Sequence, residues 1–121
     1  MRYAKSRNVF GHAIGENQHI AFKIARMQAR VHAARLAYYD AAHKIDAGLP
    51  FKLEASLAKM ISSEAAMDNA RDATQIWGGY GFLNENAVAR HFRDAKVLEI
   101  GEGTSEVQRM LIARGLGLPV E

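Results

Sequence analysis

The sequence predicts an all-α chain, an antiparallel up-down four-helix bundle with a short additional C-terminal helix, and three observations carry that expectation. Apolar residues recur at helical spacing along most of the 121 residues. Glycine and proline are confined to the joints, with glycines gathered at 11–15, 78–81, 101–103 and 115–117 and prolines only at 50 and 119. No segment alternates polar and apolar residues as a half-buried strand does.

The opening stretch from Arg2 to Arg7 is basic and short and contains Tyr3, which reads as local structure. From His19 to Asp46 the positions Ile20, Ile24, Met27, Val31, Ala34, Tyr38, Ala41 and Ile45 alternate spacings of four and three, a sustained helical seam. At 1.5 Å per residue such a helix reaches about 40 Å and needs an equally long neighbour. Gly48 suits a C-terminal cap and Pro50 the start of the next helix, so a hairpin follows. Leu53, Leu57, Ile61 and Ala65, then Ala66, Ala70, Ala73 and Trp77, extend the second helix to Trp77. Val88, Phe92, Ala95 and Leu98 mark a shorter third helix. Thr104 and Ser105 announce the last one, and Gln108, three residues after Ser105, completes a capping-box pattern.

Composition removes several classes of function. Cysteine is absent, which excludes disulfides, thiolate metal sites and cysteine nucleophiles and suits a reducing compartment. His12, His19, His32, His43 and His91 never pair at three or four residues, so no metal site is expected. The net charge of +3 comes from bases interleaved with acids, as in Asp68, Arg71, Asp72, and not from the one-sided track that nucleic acid requires. No apolar run approaches the roughly 20 residues of a membrane span, and the chain reads as soluble.

Two glycine-rich segments go beyond the needs of a plain bundle. In Gln75-Ile76-Trp77-Gly78-Gly79-Tyr80-Gly81 one glycine would suffice to end a helix, so three among bulky aromatics suggest close approach of another group to the backbone. In Gly101-Glu102-Gly103-Thr104-Ser105 a carboxylate stands between glycines ahead of a helix N-terminus. Its bland reading is an acid favoured by the helix dipole. Its functional reading is a mobile base swung over a substrate carbon.

Together with Arg7-Asn8-Val9-Phe10-Gly11, Gln18 and Arg93-Asp94-Ala95-Lys96, these segments resemble the acyl-CoA dehydrogenase family in order and spacing over nearly the whole chain. The resemblance implies that residues 1–121 form one domain, the family's C-terminal helical bundle, without the N-terminal helical and middle β domains that complete the flavin and acyl-CoA pockets. It implies FAD as cofactor. Arg7 would meet the pyrophosphate; Phe10, Gln18, Gln75, Ile76, Trp77, Gly78 and Gly79 would contact flavin partly across a subunit boundary; Thr104, Ser105 and Glu106 would flank it. Gly103 would neighbour the thioester. Glu102 would remove the pro-R proton next to the thioester carbonyl while the adjoining carbon gives hydride to flavin, yielding a trans-2-enoyl-CoA. An always-charged guanidinium suits a diphosphate, and glycines permit close cofactor approach.

Electron-transfer flavoprotein is the implied electron acceptor and a homo-oligomer, dimer or tetramer, the implied assembly. The location would be cytoplasmic in a bacterium and the mitochondrial matrix in a eukaryote. Gly101 stands where many relatives have tyrosine and Glu106 where many have glutamine, which leaves substrate preference open; Glu102 itself favours the short- and medium-chain branch. The alternative is a non-catalytic oligomerisation module, for which the heptad-like seam from Ile20 to Ile45 would serve.

Overall fold

The computed structural model describes residues 1–120; Glu121, the last residue of the expected domain, lies outside them. A five-residue helix α1 (Arg2–Ser6) leads into an antiparallel pair of two-residue strands, β1 (Asn8–Val9) and β2 (His12–Ala13), with Asn8 opposite Ala13 and Val9 opposite His12. Four longer helices follow, α2 (Gln18–Asp46), α3 (Lys52–Trp77), α4 (Ala87–Val97) and α5 (Ser105–Gly115). The small hairpin departs from the all-helical expectation. A two-residue strand is too short to display alternation, and the turn itself holds it: Phe10 (φ +55) and Gly11 (φ +88) both adopt the left-handed backbone of a tight two-residue hairpin.

The joint between α2 and α3 behaves as read. The Gly48 N–H donates to the Ile45 carbonyl and the Leu49 N–H to that of Lys44, with Gly48 at φ +67, the paired bonds of a Schellman cap. Pro50, however, precedes the N-cap Phe51, so α3 starts at Lys52, later than expected.

Helix α3 is the axle of the bundle, with α2, α4 and α5 each packed against it. From Leu53 to Trp77 only Arg71 and Gln75 are exposed. Apart from Ile14 the buried apolar side chains are all alanines, namely Ala4, Ala41, Ala58, Ala70 and Ala95, so helices approach closely through alanine rather than interlocking through leucine.

The seam on α2 follows the expected one at its N-terminal end and drifts off it toward Ile45. Of the expected positions, Ile20, Ile24, Met27, Ala34 and Ala41 are covered, joined by Lys23, Arg30, Ala37 and Lys44, whereas Val31, Tyr38 and Ile45 stand exposed. Charge accounts for the cations on the covered face. Asp72 of α3 accepts from Lys23 (2.9 Å) and Arg30 (2.7 Å), and Lys44 pairs with Glu54 at the other end of the hairpin. Asn69 ties the middle, accepting from Arg30 and donating to the Met27 carbonyl. Apolar periodicity alone cannot reveal cations whose partners lie some 40 residues away.

Among the described residues no helix is long and apolar enough to cross a membrane, and no group of three His, Asp or Glu is placed to hold a metal ion.

Candidate active site

The first cluster forms where α3 stops. Gly78 leaves the helix at φ +59, and the chain doubles back so tightly that a Cβ on Gly81 would lie 2.5 Å from the Thr74 carbonyl oxygen and 2.9 Å from Trp77 Cβ. Gly81 therefore answers to its own helix, which corrects the idea that all three glycines admit an outside group. Gly78 and Gly79 have open space where a Cβ would point. Tyr3 stacks on Trp77 with centroids 4.2 Å apart and planes 9° from parallel, and its hydroxyl donates to the Trp77 carbonyl at 3.3 Å. This pins α1 to the turn and delivers Arg7, whose guanidinium lies 5.4 Å above the Tyr80 ring.

Arg7, Ile76, Trp77, Gly78 and Gly79 thus share one concave surface of about 460 Å³. The other residues expected there do not line it. Phe10 is 95% exposed at the hairpin tip, Gln18 opens α2 facing solvent, and Gln75 is exposed on the last turn of α3. A permanent cation with fork-like donors, beside bare glycine backbone and an indole, fits a diphosphate carried by a planar ring system.

The second cluster lies between α4 and α5. The chain leaves α4 through tight turns, the Gly101 N–H donating to the Val97 carbonyl at 2.8 Å, and then holds two successive residues in the left-handed region, Glu102 at φ +57 and Gly103 at φ +92. The Glu102 side chain is exposed. Thr104 is the N-cap of α5, its hydroxyl accepting from the Val107 N–H at 3.3 Å, and Ser105 is the first helical residue. The capping box expected from Ser105 and Gln108 does not form. Gln108, 6% exposed, turns its amide back to the loop and donates to the carbonyls of Glu102 and Gly103, each at 3.3 Å. The Lys59 ammonium of α3 donates to the same Gly103 carbonyl at 2.6 Å. Sequence reasoning missed Lys59, which sits in an ordinary helical pattern 44 residues upstream.

Thr104, Ser105 and Glu106 line a polar concavity of about 390 Å³ with Lys96, Glu99 and Arg109. The Ser105 hydroxyl is buried there without a hydrogen-bond partner, a donor and acceptor left open at a helix N-terminus. That orphaned hydroxyl suits a polar cofactor such as FAD. The Glu106 carboxyl is held below the usual carboxylate range by its own backbone N–H and by the Thr104 hydroxyl, against a small opposing effect of burial, with Arg109 and Lys96 adding positive charge.

The two clusters lie toward opposite ends of α3. Lys59 and Trp77 are separated along that helix by about 27 Å at 1.5 Å per residue. Glu102, tied through Gly103 to Lys59, and the Arg7 group, tied to Trp77, thus attach at points far apart along α3.

Comparison with known proteins agrees with this fold. The family description "Acyl-CoA dehydrogenase, C-terminal domain" matches residues 1–117. The chain is 45% identical over 116 residues to 3-(aryl)acrylate reductase of Clostridium sporogenes, covering 96% of this chain and 31% of that protein. It superposes on butyryl-CoA dehydrogenase from Megasphaera elsdenii with a TM-score of 0.93 and 45% identity, covering 95% of this chain and 30% of the other. It superposes on the FAD complex of PigA with a TM-score of 0.95 and 35% identity, covering 98% and 31% respectively. The chain spans about 31% of the length of such relatives, and on the strength of these matches it belongs to the acyl-CoA dehydrogenase family, within that family's C-terminal domain.

Proposed function

We propose that this chain acts as the C-terminal helical domain of a FAD-dependent acyl-CoA dehydrogenase of the short- and medium-chain branch and supplies its catalytic base, Glu102. The observation that carries this reading is the backbone at Glu102. A non-glycine residue held at φ +57 beside two glycines costs about 1 kcal/mol, which a third glycine would recover, so the retained carboxylate has work other than folding.

In the intact enzyme the exposed Glu102 carboxylate takes the proton from the carbon next to the thioester carbonyl, and Gly103, lacking a side chain, lets the thioester come close. Bound FAD supplies the hydride acceptor for the neighbouring carbon, and the product is a trans-2-enoyl-CoA. Arg7 grips the diphosphate, assisted by Phe10, Gln18, Gln75 and the Ile76 to Gly79 turn. Thr104, Ser105 and Glu106 flank the cofactor at the mouth of α5.

Because the anchor points of the two clusters, Lys59 and Trp77, stand about 27 Å apart on one helix, the flavin served by Glu102 of one copy is held by the Arg7 group of another, in a dimer or tetramer. The exposed row Val31, Tyr38 and Ile45 on α2 supports such an assembly. An N-terminal helical and a middle β domain complete both pockets, and electron-transfer flavoprotein removes the electrons in fatty-acid β-oxidation, in the bacterial cytoplasm or the mitochondrial matrix. That same exposed row also favours the second reading, an oligomerisation module without chemistry.

Glu102→Gln in the full-length flavoprotein separates the two. The amide keeps the shape and removes the proton acceptor. Anaerobic mixing with acyl-CoA should leave flavin bound and unreduced. Reduction at the unaltered rate would reject Glu102 as the base.

A further inference from the structure

We propose that Lys59 is a positioning residue for Glu102, acting with Gln108 by fixing the two peptide groups that follow Glu102 through the carbonyls of Glu102 and Gly103. This rests on the reading of Glu102 as the base. The loop from Gly101 to Thr104 is exposed or half-buried and carries two consecutive left-handed residues, a combination that relaxes unless something over-determines it. Three donated hydrogen bonds do so. The Lys59 ammonium reaches the Gly103 carbonyl at 2.6 Å, and the Gln108 amide bridges the carbonyls of Glu102 and Gly103.

Both donors are anchored away from the loop. Lys59 is half-buried on the axle helix α3, beside buried Ala58, and Gln108 is buried one turn into α5. Of the two, Lys59 is the charged donor, and a charge-assisted bond to a carbonyl is the stronger kind. Its grip at Gly103 sets the direction in which the preceding residue projects. The Glu102 carboxylate itself has no hydrogen bond or ion pair among the described residues, so its direction is set through the backbone alone.

The variant Lys59→Met in the full-length flavoprotein keeps the aliphatic stem and removes the donor. A base displaced by about 1 Å loses on the order of 100-fold in rate. Flavin reduction by acyl-CoA should therefore slow by about that factor, with flavin affinity and the acyl-CoA dissociation constant unchanged. Backbone amide exchange across residues 101–106 should accelerate, a readout independent of turnover. Lys59→Arg restores a donor and should recover most of the rate. If Lys59→Met fails to load flavin, Gln108→Met carries the same test.

Reduction at the wild-type rate in Lys59→Met, while Glu102→Gln is inactive, overturns the positioning role and leaves the base assignment standing. Slow reduction without faster exchange in residues 101–106 overturns it too. Wild-type reduction in Glu102→Gln removes the base reading itself.

Discussion

Replacing Asp72 by asparagine tests what holds α2 to α3. The carboxylate is 14% exposed and accepts from Lys23 at 2.9 Å and Arg30 at 2.7 Å, whose side chains are 21% and 24% exposed. Asparagine keeps the shape and one acceptor but loses the charge. Hydrogen bonds to charged groups contribute about 1.5–3 kcal/mol each, and the partial hydration of both cations limits the penalty of stranding them, so the cost should be about 2 kcal/mol. With an unfolding entropy of about 2.1 cal/mol/K per residue, the chain's Tm should drop by about 8 °C at neutral pH, followed by circular dichroism.

The pH dependence has a definite sign. Burial pushes the Asp72 carboxyl upward, but the bonds from Arg30 and Lys23 outweigh it and hold the group below its ordinary value. A depressed carboxylate stabilises the fold fully above its unfolded pKa, about 3.9, and loses that contribution as pH falls through the lower folded value. The gap between wild type and Asp72→Asn should thus close on acidification, because the wild-type carboxyl is then neutral as well. An equal Tm at neutral pH, or a gap that persists unchanged in acid, would refute the reasoning.

Gly81→Ala places a methyl 2.5 Å from the Thr74 carbonyl, a backbone atom that cannot swing aside, and should cost about 2 kcal/mol of stability by urea titration. Wild-type stability would show that the turn opens freely. On the proposed function the 121-residue chain by itself should bind FAD weakly and fail to turn over acyl-CoA, because each cluster would then supply only part of a pocket; tight stoichiometric binding in a fluorescence titration would contradict this.

Much of the fold was legible because its signals are local. Helix lengths follow from apolar spacing, and the ends at Gly48 and Gly78 follow from the need for positive φ, which only glycine adopts without strain. The glycine-rich segments around Trp77 and Glu102 likewise stood out by type and spacing, whereas Arg7 was singled out only by the family resemblance. What the linear order could not contain was decided by packing. Paired charges between helices hold Lys23, Arg30 and Lys44 on the covered face of α2 while Tyr38 and Ile45 stand exposed. Gln108 left its expected capping role to hold the Glu102 loop together with Lys59. The length of α3, set by local pattern, separates the points at which the Arg7 group and Glu102 attach. Each of these depends on which groups meet in space, and a hydrogen bond or ion pair between different elements leaves no periodic trace in the chain that makes it.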